Sequence, residues 1–417
     1  MDIQKRVLTT IVIVAAVFCS RNVSAQQTLT ADSLYTLART AAFVQKDYPK
    51  AISLAKQGLT KSPLYTDIRI FLGRVYTWNK NIDSAREIYQ SLLQQNEHGQ
   101  DVYLGYADAE LSDNKESVAL DIVNNGLTHN PASTSLLTKQ AVILLDMGRK
   151  REALEIADSV LVLEPHNRQV KDLGLQIKEA MARNSIGIKY DYVSFEKQFT
   201  DPWHLVSIEY SRLTDSSTYT ARINYANRFR QDGMQYELEA YPHISKTFYG
   251  FLNFGYADKA GVFPKWKAGA SLFANLPKAF EAELGFRYLY FFSDNYILTG
   301  YVGKYYRTFL FGARAYLSPQ NNNISQSYNV IGRYYFGGKD DYVNLSLGTG
   351  ISPDDPSRVS QLNSVAKLRT YRVEVISRIS IRRLNVLVLN ASYASQEYLP
   401  NTFGNQYQVG IGYIRKF

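Results

Sequence analysis

The sequence contains a single cysteine, and that residue lies close to its start. Cys19 follows the apolar run Val7–Phe18, which Lys5 and Arg6 precede. A charged start, a short apolar run and a small-x-small ending are typical of a secretory signal peptide, here residues 1–25. Removal of that peptide would leave a chain without cysteine, which excludes disulfides, cysteine-ligated zinc and cysteine nucleophiles.

The sequence also lacks an apolar run of about 18 residues or more, so it predicts no membrane-spanning helix. Glycine-rich phosphate loops, zinc-protease motifs and nucleophile elbows are missing as well, as is a basic stripe that would contact nucleic acid. The nearest catalytic pattern is His243-Ile244-Ser245, but Ser-His chemistry needs an acidic third group that the sequence does not identify. We therefore predict a protein that is not an enzyme and holds no cofactor or metal ion.

The first half of the chain repeats itself with helical spacing. The repeat is marked by alanines that follow polar turns at a period of 34 residues, namely Ala51, Ala85, Ala119 and Ala153. Four occurrences of one period predict a solenoid of helix pairs, and a last polar helix would cover its end. The predicted helical domain spans residues 26–183, with units 32–65, 66–99, 100–133 and 134–167 and a capping helix at 168–182.

The second of these units resembles the tetratricopeptide repeat through Leu72-Gly73, Tyr76, Ala85 and Tyr89. The resemblance implies a protein-interaction domain in which the first helix of each pair lines a concave groove. On that geometry the residues that line the groove are Arg74, Trp78, Asp108 and Asp146. Trp78 has two interpretations, since it either anchors a partner protein or packs against the next repeat.

Residues 185–417 consist of short segments in which apolar and polar side chains alternate. Tyr219, Ala221, Ile223 and Tyr225, for example, are separated by polar residues. Such a strand has one apolar and one polar face, and recurrence of the pattern with many tyrosines predicts an antiparallel outer-membrane β-barrel. Fourteen segments are favoured, with 12 or 16 strands as the alternatives.

The joints between these segments tend to alternate between long and short. The long ones are Asp258–Pro264, Pro319–Gln326, Ser352–Asn363 and Ser395–Thr402. Outer-membrane barrels have long outer loops and short periplasmic turns. This pattern therefore predicts that both chain ends lie in the periplasm, together with the helical domain.

The polar faces of the strands predict a charged barrel lumen. Its predicted residues are Arg222, Arg228, Glu237, Glu239, Glu281, Glu283, Arg287, Arg314 and Arg333. Charges of both signs either brace the wall as ion pairs or line a path for a solute. Residues 185–417 hold 26 Lys and Arg against 18 Asp and Glu, which favours an anionic polymer or solute, or lipid head groups, as a partner.

The last segment alternates Tyr407, Val409, Ile411 and Tyr413 and ends on Phe417. This ending resembles the C-terminal signal that the barrel-assembly machinery reads, which favours a terminal aromatic residue. The resemblance implies that Tyr413 and Phe417 take part in that recognition.

A signal peptide, tetratricopeptide repeats and a tyrosine-rich barrel that ends Gly-Tyr-Ile-Arg-Lys-Phe together resemble the YaiO family of outer-membrane barrel proteins. The arrangement also looks like exporters of envelope polysaccharides, in which repeats gather partner proteins and the barrel passes polymer. We therefore expect an outer-membrane protein of a Gram-negative bacterium, with its repeats in the periplasm, that contacts membrane lipid, the assembly machinery and a periplasmic protein. Two functions remain open, a part in polysaccharide export and a barrel-anchored scaffold without transport.

Overall fold

The computed structural model describes residues 29–320, 323–354, 369–399 and 401–417. The predicted signal peptide, residues 1–25, lies outside the described residues. Within them, nine α-helices are followed by a closed antiparallel barrel of fourteen strands, which confirms the predicted fold class. No helix in the described part of the chain is both long and apolar enough to cross a bilayer.

The helices follow one another as antiparallel pairs. They are α1 (Ala31–Thr40, continued by a π-turn at Ala41–Gln45), α2 (Tyr48–Lys61), α3 (Thr66–Trp78), α4 (Ile82–Gln94), α5 (Gln100–Ser112), α6 (Glu116–His129), α7 (Thr134–Asp146), α8 (Lys150–Leu163) and α9 (Arg168–Met181). Each of the four predicted units contains one consecutive pair. The periodic alanines, Ala51, Ala85, Ala119 and Ala153, are fully buried, because only a methyl group fits where paired helices approach closely.

Glycines serve the same purpose around one tyrosine. The ring of Tyr89 on α4 is fully buried and lies between Gly73 on α3 and Gly105 on α5. A Cβ atom added at Gly73 would lie 2.7 Å from the ring, and one added at Gly105 would overlap the Tyr89 hydroxyl. Tyr89 therefore joins two neighbouring repeats, and the glycines provide the space for its ring.

The strands continue around the barrel in chain order. They are β1 (Asn184–Phe195), β2 (Trp203–Leu213), β3 (Ser217–Arg228), β4 (Gln231–Pro242), β5 (Phe248–Ala257), β6 (Trp266–Leu276), β7 (Phe280–Tyr290), β8 (Asp294–Tyr306), β9 (Phe309–Gln320), β10 (Asn323–Tyr335), β11 (Tyr342–Thr349), β12 (Thr370–Ile381), β13 (Asn385–Leu399) and β14 (Thr402–Lys416). Strand β1 pairs with β14, for example Ser185 with Lys416, and this pairing closes the barrel. The start of β1 and the end of β14 thus lie at the same mouth of the barrel, which we call the terminal mouth. We call the opposite mouth the distal mouth.

The alternating pattern sorts side chains between the two faces of the wall. On β3, Tyr219 and Ile223 are exposed on the outer face, whereas Thr220 and Asn224 are buried on the inner face. An apolar outer face suits lipid, and closure leaves no strand edge in the hydrocarbon with unpaired backbone groups.

Two of the four predicted long joints are wrong. Strand β9 continues to Gln320 and β10 begins at Asn323, so the loop predicted at Pro319–Gln326 is mostly strand, and β13 and β14 likewise absorb Ser395–Thr402. Cross-strand pairs such as Ser395 with Asn405 extend the ladder there. Backbone pairing has outweighed a polar composition that otherwise favours a loop. The joint that contains Ser352–Asn363 runs from β11 to β12, and its residues 355–368 lie outside the described residues.

The role of Tyr89 leads to a test of the repeat packing. Replacing a helix-interior glycine by alanine normally stabilises a helix by about 0.5–1 kcal/mol. We expect G105A instead to lower the free energy of unfolding of the helical domain by about 1–3 kcal/mol, because the new methyl group displaces the Tyr89 ring. Thermal melting of the full chain in detergent, followed by circular dichroism at the helical wavelength, measures the change.

The matched control is G174A in α9, where a new Cβ would meet no atom of the described residues within 4 Å. It should leave the melt unchanged or raise its midpoint. If G105A melted like G174A, the proposed packing around Tyr89 would be wrong.

Candidate functional site

The inner face of the barrel holds a cluster of charges around Arg222. Its guanidinium on β3 lies 3.1 Å from the Glu209 carboxylate on β2, and 3.4 Å and 3.0 Å from Glu237 and Glu239 on β4. Lys267 on β6 also contacts Glu237, at 3.3 Å. Three carboxylates and two cations from four strands thus neutralise much of one another's charge inside the wall.

A second cluster lies around Glu283 on β7. Its carboxylate, fully buried, accepts a hydrogen bond from Ser271 and pairs with Arg314 on β9 at 2.6 Å. Arg287, on the same face of β7, lies 3.4 Å from Glu283 and 3.0 Å from Asp354. Asp354 belongs to residues 350–354, the described start of the β11–β12 joint, and this part of the joint reaches into the lumen.

Asp354 is held there by several groups. Tyr316 on β9 donates a hydrogen bond to it at 3.1 Å, and Arg314 lies 3.9 Å away. Burial raises the pKa of Asp354, but the nearby Arg287, Lys267 and Arg314 outweigh burial and keep it below its usual range. The lowered pKa favours the charged carboxylate at neutral pH, and Asp354 is lost as a charged partner only when the pH falls through that lowered value.

A second joint closes part of the distal mouth with apolar side chains. Val262 and Phe263, between β5 and β6, are buried against Trp203, the first residue of β2. The fully buried Arg228 guanidinium lies over the Phe263 ring, 4.7 Å from its centroid. The joint therefore folds inward to pack inside the mouth, where a guanidinium stacks on it.

The terminal mouth is also crossed by ion pairs. Asp340, in the β10–β11 turn, lies 2.8 Å from Arg378 on β12 and 2.6 Å from Lys416 on β14. Burial raises the pKa of Asp340, but hydrogen bonding to Lys416 and the charge of Arg378 reverse this, so the pKa is lowered. Lys416 in turn pairs with Glu179 on α9 at 3.1 Å, which joins this helix to the rim.

Between the two mouths lies a cavity of about 550 Å³. Its lining includes both clusters, with Arg222, Glu283 and Arg287, and also the inward-folded Phe263 and Asp354. Acidic and basic side chains alternate with aromatic rings around it. The lining therefore carries charges of both signs, unlike a pore of one charge sign.

The structure places all nine predicted lumen residues on the inner face but divides them among different environments. Glu281 accepts a hydrogen bond from Tyr249 at 2.5 Å, and Arg333 lies over the Tyr342 ring, 4.3 Å from its centroid. Glu281 and Arg333 both line a separate cavity of about 310 Å³. Sequence reasoning missed Glu209, which the alternation on β2 could have revealed, and Asp354, which no local signal marks as lumenal.

The predicted groove residues of the repeats are engaged with their neighbours. Arg74 pairs with Asp101 at 2.6 Å, and Asp108 pairs with Lys139 at 2.6 Å. The Trp78 ring packs on Phe43 and Tyr48 of the preceding unit, with centroids 5.3 Å and 6.1 Å apart, and 37 % of its surface stays exposed. Trp78 thus packs against the preceding repeat, whereas the sequence left open a partner anchor and packing against the next repeat. Asp146 is the last residue of α7 and is exposed.

Arg74 also lines a cavity of about 200 Å³ on the repeat surface. The other lining residues are Tyr35, Arg39, Phe43, Asp67, Ile70, Phe71 and Asp101. Aromatic rings flanked by charges of both signs suit an apolar anchor residue with polar neighbours. Of the four predicted groove residues, only Arg74 lines this cavity.

At the end of the chain, Tyr413 and Phe417 lie on or beyond β14. The Tyr413 hydroxyl faces outward and donates to Asn385 at 2.6 Å. The Phe417 backbone pairs with Asn184 at 2.8 Å, while its ring is exposed. Both side chains are therefore accessible from outside the wall.

Two parts of the chain match different protein families. Residues 183–355, which contain β1 to β11, match the family described as YaiO membrane beta barrel domain. Residues 42–109 match the tetratricopeptide repeat. The chain carries a YaiO barrel behind tetratricopeptide repeats. This confirms the resemblance seen in the sequence and indicates an outer-membrane protein with a protein-interaction domain.

Individual proteins that resemble this chain include three that match part of it. Cellulose synthase operon protein C of Pseudomonas fluorescens (strain SBW25) is 32 % identical over 93 residues, which are 22 % of this chain and 7 % of that protein. A tetratricopeptide repeat protein from Thermus thermophilus is 15 % identical and covers 36 % of this chain and 83 % of its own, with a TM-score of 0.33. One from Parabacteroides merdae is 20 % identical, with coverages of 38 % and 61 % and a TM-score of 0.34.

The cluster around Arg222 predicts how the YaiO barrel responds to loss of one charge. In the described part of the chain, R222Q leaves Lys267 as the one cation that contacts the cluster of Glu209, Glu237 and Glu239. We expect the free energy of unfolding of the barrel to fall by about 3–5 kcal/mol, since removing one partner of a buried ion pair leaves uncompensated charge. The urea concentration at which the folded band disappears from unheated SDS gels measures the loss.

Two variants control for this result. R307Q changes an arginine in the β8–β9 turn and should leave the urea midpoint unchanged, whereas R222Q combined with E239Q should recover part of the loss. An unchanged midpoint for R222Q would show that the cluster does not brace the wall.

Proposed function

We propose that this protein is an outer-membrane anchor that holds a periplasmic docking domain, in service of an envelope polysaccharide system. The observation that carries the proposal is the occupied lumen. Asp354 and Phe263 lie inside the barrel, and Asp340 bridges Arg378 and Lys416 at the terminal mouth. A barrel filled in this way suits a stable membrane attachment better than a route for solute.

The periplasmic position of the repeats is supported by the joints. At the distal mouth the joints include 258–265 and 350–369, whereas the longest at the terminal mouth are 243–247 and 336–341. Outer-membrane barrels keep their shorter turns in the periplasm. The helical domain directly precedes β1 at the terminal mouth, so this orientation puts the repeats in the periplasm.

The link to polysaccharide is supported by the relative from Pseudomonas fluorescens. Its name places it in a cellulose synthase operon, and the similarity covers 93 residues. The same similarity favours a second function, in which this barrel passes a polymer. That function requires the joints that carry Asp354 and Phe263 to leave the lumen, whereas the anchor function requires them to stay.

The docking role is tested at the cavity that Phe43 lines. Phe43 is half-exposed there, and its neighbour Val44 is exposed but outside the cavity lining. We expect F43D to reduce surface polysaccharide to the amount found when the repeats are deleted, because a carboxylate at the cavity repels an apolar anchor residue. V44D, which adds the same charge one residue away, should leave surface polysaccharide unchanged.

Two outcomes would contradict the proposal. Equal effects of F43D and V44D on surface polysaccharide would show that the cavity is not part of the docking surface. The proposal expects added protease to digest the repeats only after the outer membrane is permeabilised. Digestion in intact cells would show that the repeats lie outside the cell rather than in the periplasm.

A further inference from the structure

The outer wall of the barrel is interrupted by a groove that neither the anchor role nor the lumen explains. It has a volume of about 730 Å³ and extends over strands β2 to β7. Its outward-facing floor consists of small residues, Ala221, Ala240, Ala268 and Ala270. Larger side chains of the same strands stand on either side, including Tyr219, Leu238, Phe254 and Phe286.

The strand register explains why the alanines form a continuous groove. One line of cross-strand neighbours runs Arg212, Tyr219, Ala240, Leu252, Ala270 and Phe286. The adjacent line runs Tyr210, Ala221, Leu238, Phe254 and Ala268. Each alanine leaves a gap between bulkier neighbours. The gaps of the two lines lie side by side and together form one channel.

The groove begins at the rim and descends into the membrane. Arg212 is the penultimate residue of β2 at the terminal mouth, whereas Ala270 lies in the middle of β6. Neighbouring strands are about 4.8 Å apart, so the line from β2 to β7 is roughly 24 Å long. With a strand tilt of about 40°, it descends about 15 Å, or half of a hydrocarbon core of about 30 Å.

The rim end of the groove carries one positive charge. Arg212 faces outward and is exposed, and in the described part of the chain it has no ion-pair partner. Beside it, the Tyr210 hydroxyl donates to Asn184 at 2.8 Å, which marks the polar boundary of the wall. An arginine at head-group depth, above an apolar channel one leaflet deep, is complementary to a lipid phosphate with its acyl chain below.

We propose that this groove binds one glycerophospholipid, with its phosphate at Arg212 and an acyl chain along Ala240, Leu252 and Ala270. The choice of a phospholipid rests on the proposed periplasmic orientation, because the terminal mouth then lies in the inner leaflet. The bound lipid fills a defect in the outer wall between β2 and β7.

The test is lipid binding to the detergent-solubilised full chain, counted by native mass spectrometry. Phosphatidylglycerol and the uncharged diacylglycerol with the same chains are the probes. We expect wild type to retain one phosphatidylglycerol, R212Q to bind it about fivefold more weakly, and both proteins to bind diacylglycerol equally. A240F combined with A270F should lose both lipids, because the rings fill the groove.

A391F is the matched control, since Ala391 also faces outward and is exposed but lies on β13, outside the groove. It should bind like wild type. Migration on unheated SDS gels verifies that each variant is folded, and the R212Q comparison remains decisive if the double variant is not.

Three results of the lipid-binding measurements would overturn the proposal. They are equal phosphatidylglycerol binding by wild type and the double variant, an equal effect of R212Q on both probes, and displacement of phosphatidylglycerol by lipid A at matched concentration. A dimer that only the double variant dissociates would also overturn it, because the occupant would then be a second copy of the chain. None of these results depends on whether the repeats bind a partner, so the docking proposal is tested separately.

Discussion

Charge neutralisation inside a closed wall is the constraint on which this structure depends. A barrel in lipid must pair every backbone group around its circumference, and alternation then directs every second side chain inward. An inward charge without a partner would lose most of its hydration, at a cost of several kcal/mol. Arg222 and Glu283 satisfy this requirement by contacting opposite charges on neighbouring strands.

Neighbouring strands alone do not satisfy every inward charge, and here the joints contribute. Asp354 supplies a carboxylate to Arg287, and Asp340 supplies one to Arg378 and Lys416. The same contacts that complete the charge balance also place joint residues in the lumen and at the terminal mouth. Bracing and occupation of the lumen therefore come from one arrangement, which is why we favour an anchor over a conduit.

Sequence reasoning could predict whatever depends on local period. The alternation on β3 identifies its outer and inner faces, and the 34-residue period of the alanines identifies the helix pairs. These features are predictable because a strand or helix imposes its repeat on every residue.

Features that depend on distant contacts could not be predicted. Ser395 looked like a loop residue because its pairing with Asn405 is invisible in composition. Asp354 looked like an outer-loop residue because its partners, Arg287 and Tyr316, are far away in sequence. Trp78 likewise faces rings of the preceding repeat, and no spacing rule distinguishes that contact from an exposed anchor.

The central claim is that ion pairs and inward-folded joints keep the lumen closed, and single-channel recording in planar bilayers tests it most directly. The account predicts that the full-length protein produces no conductance steps at neutral pH, and that D354A, which frees the β11–β12 joint from Arg287 and Arg314, produces transient ones. Stable conductance steps from the wild-type protein, unchanged in D354A, would contradict it.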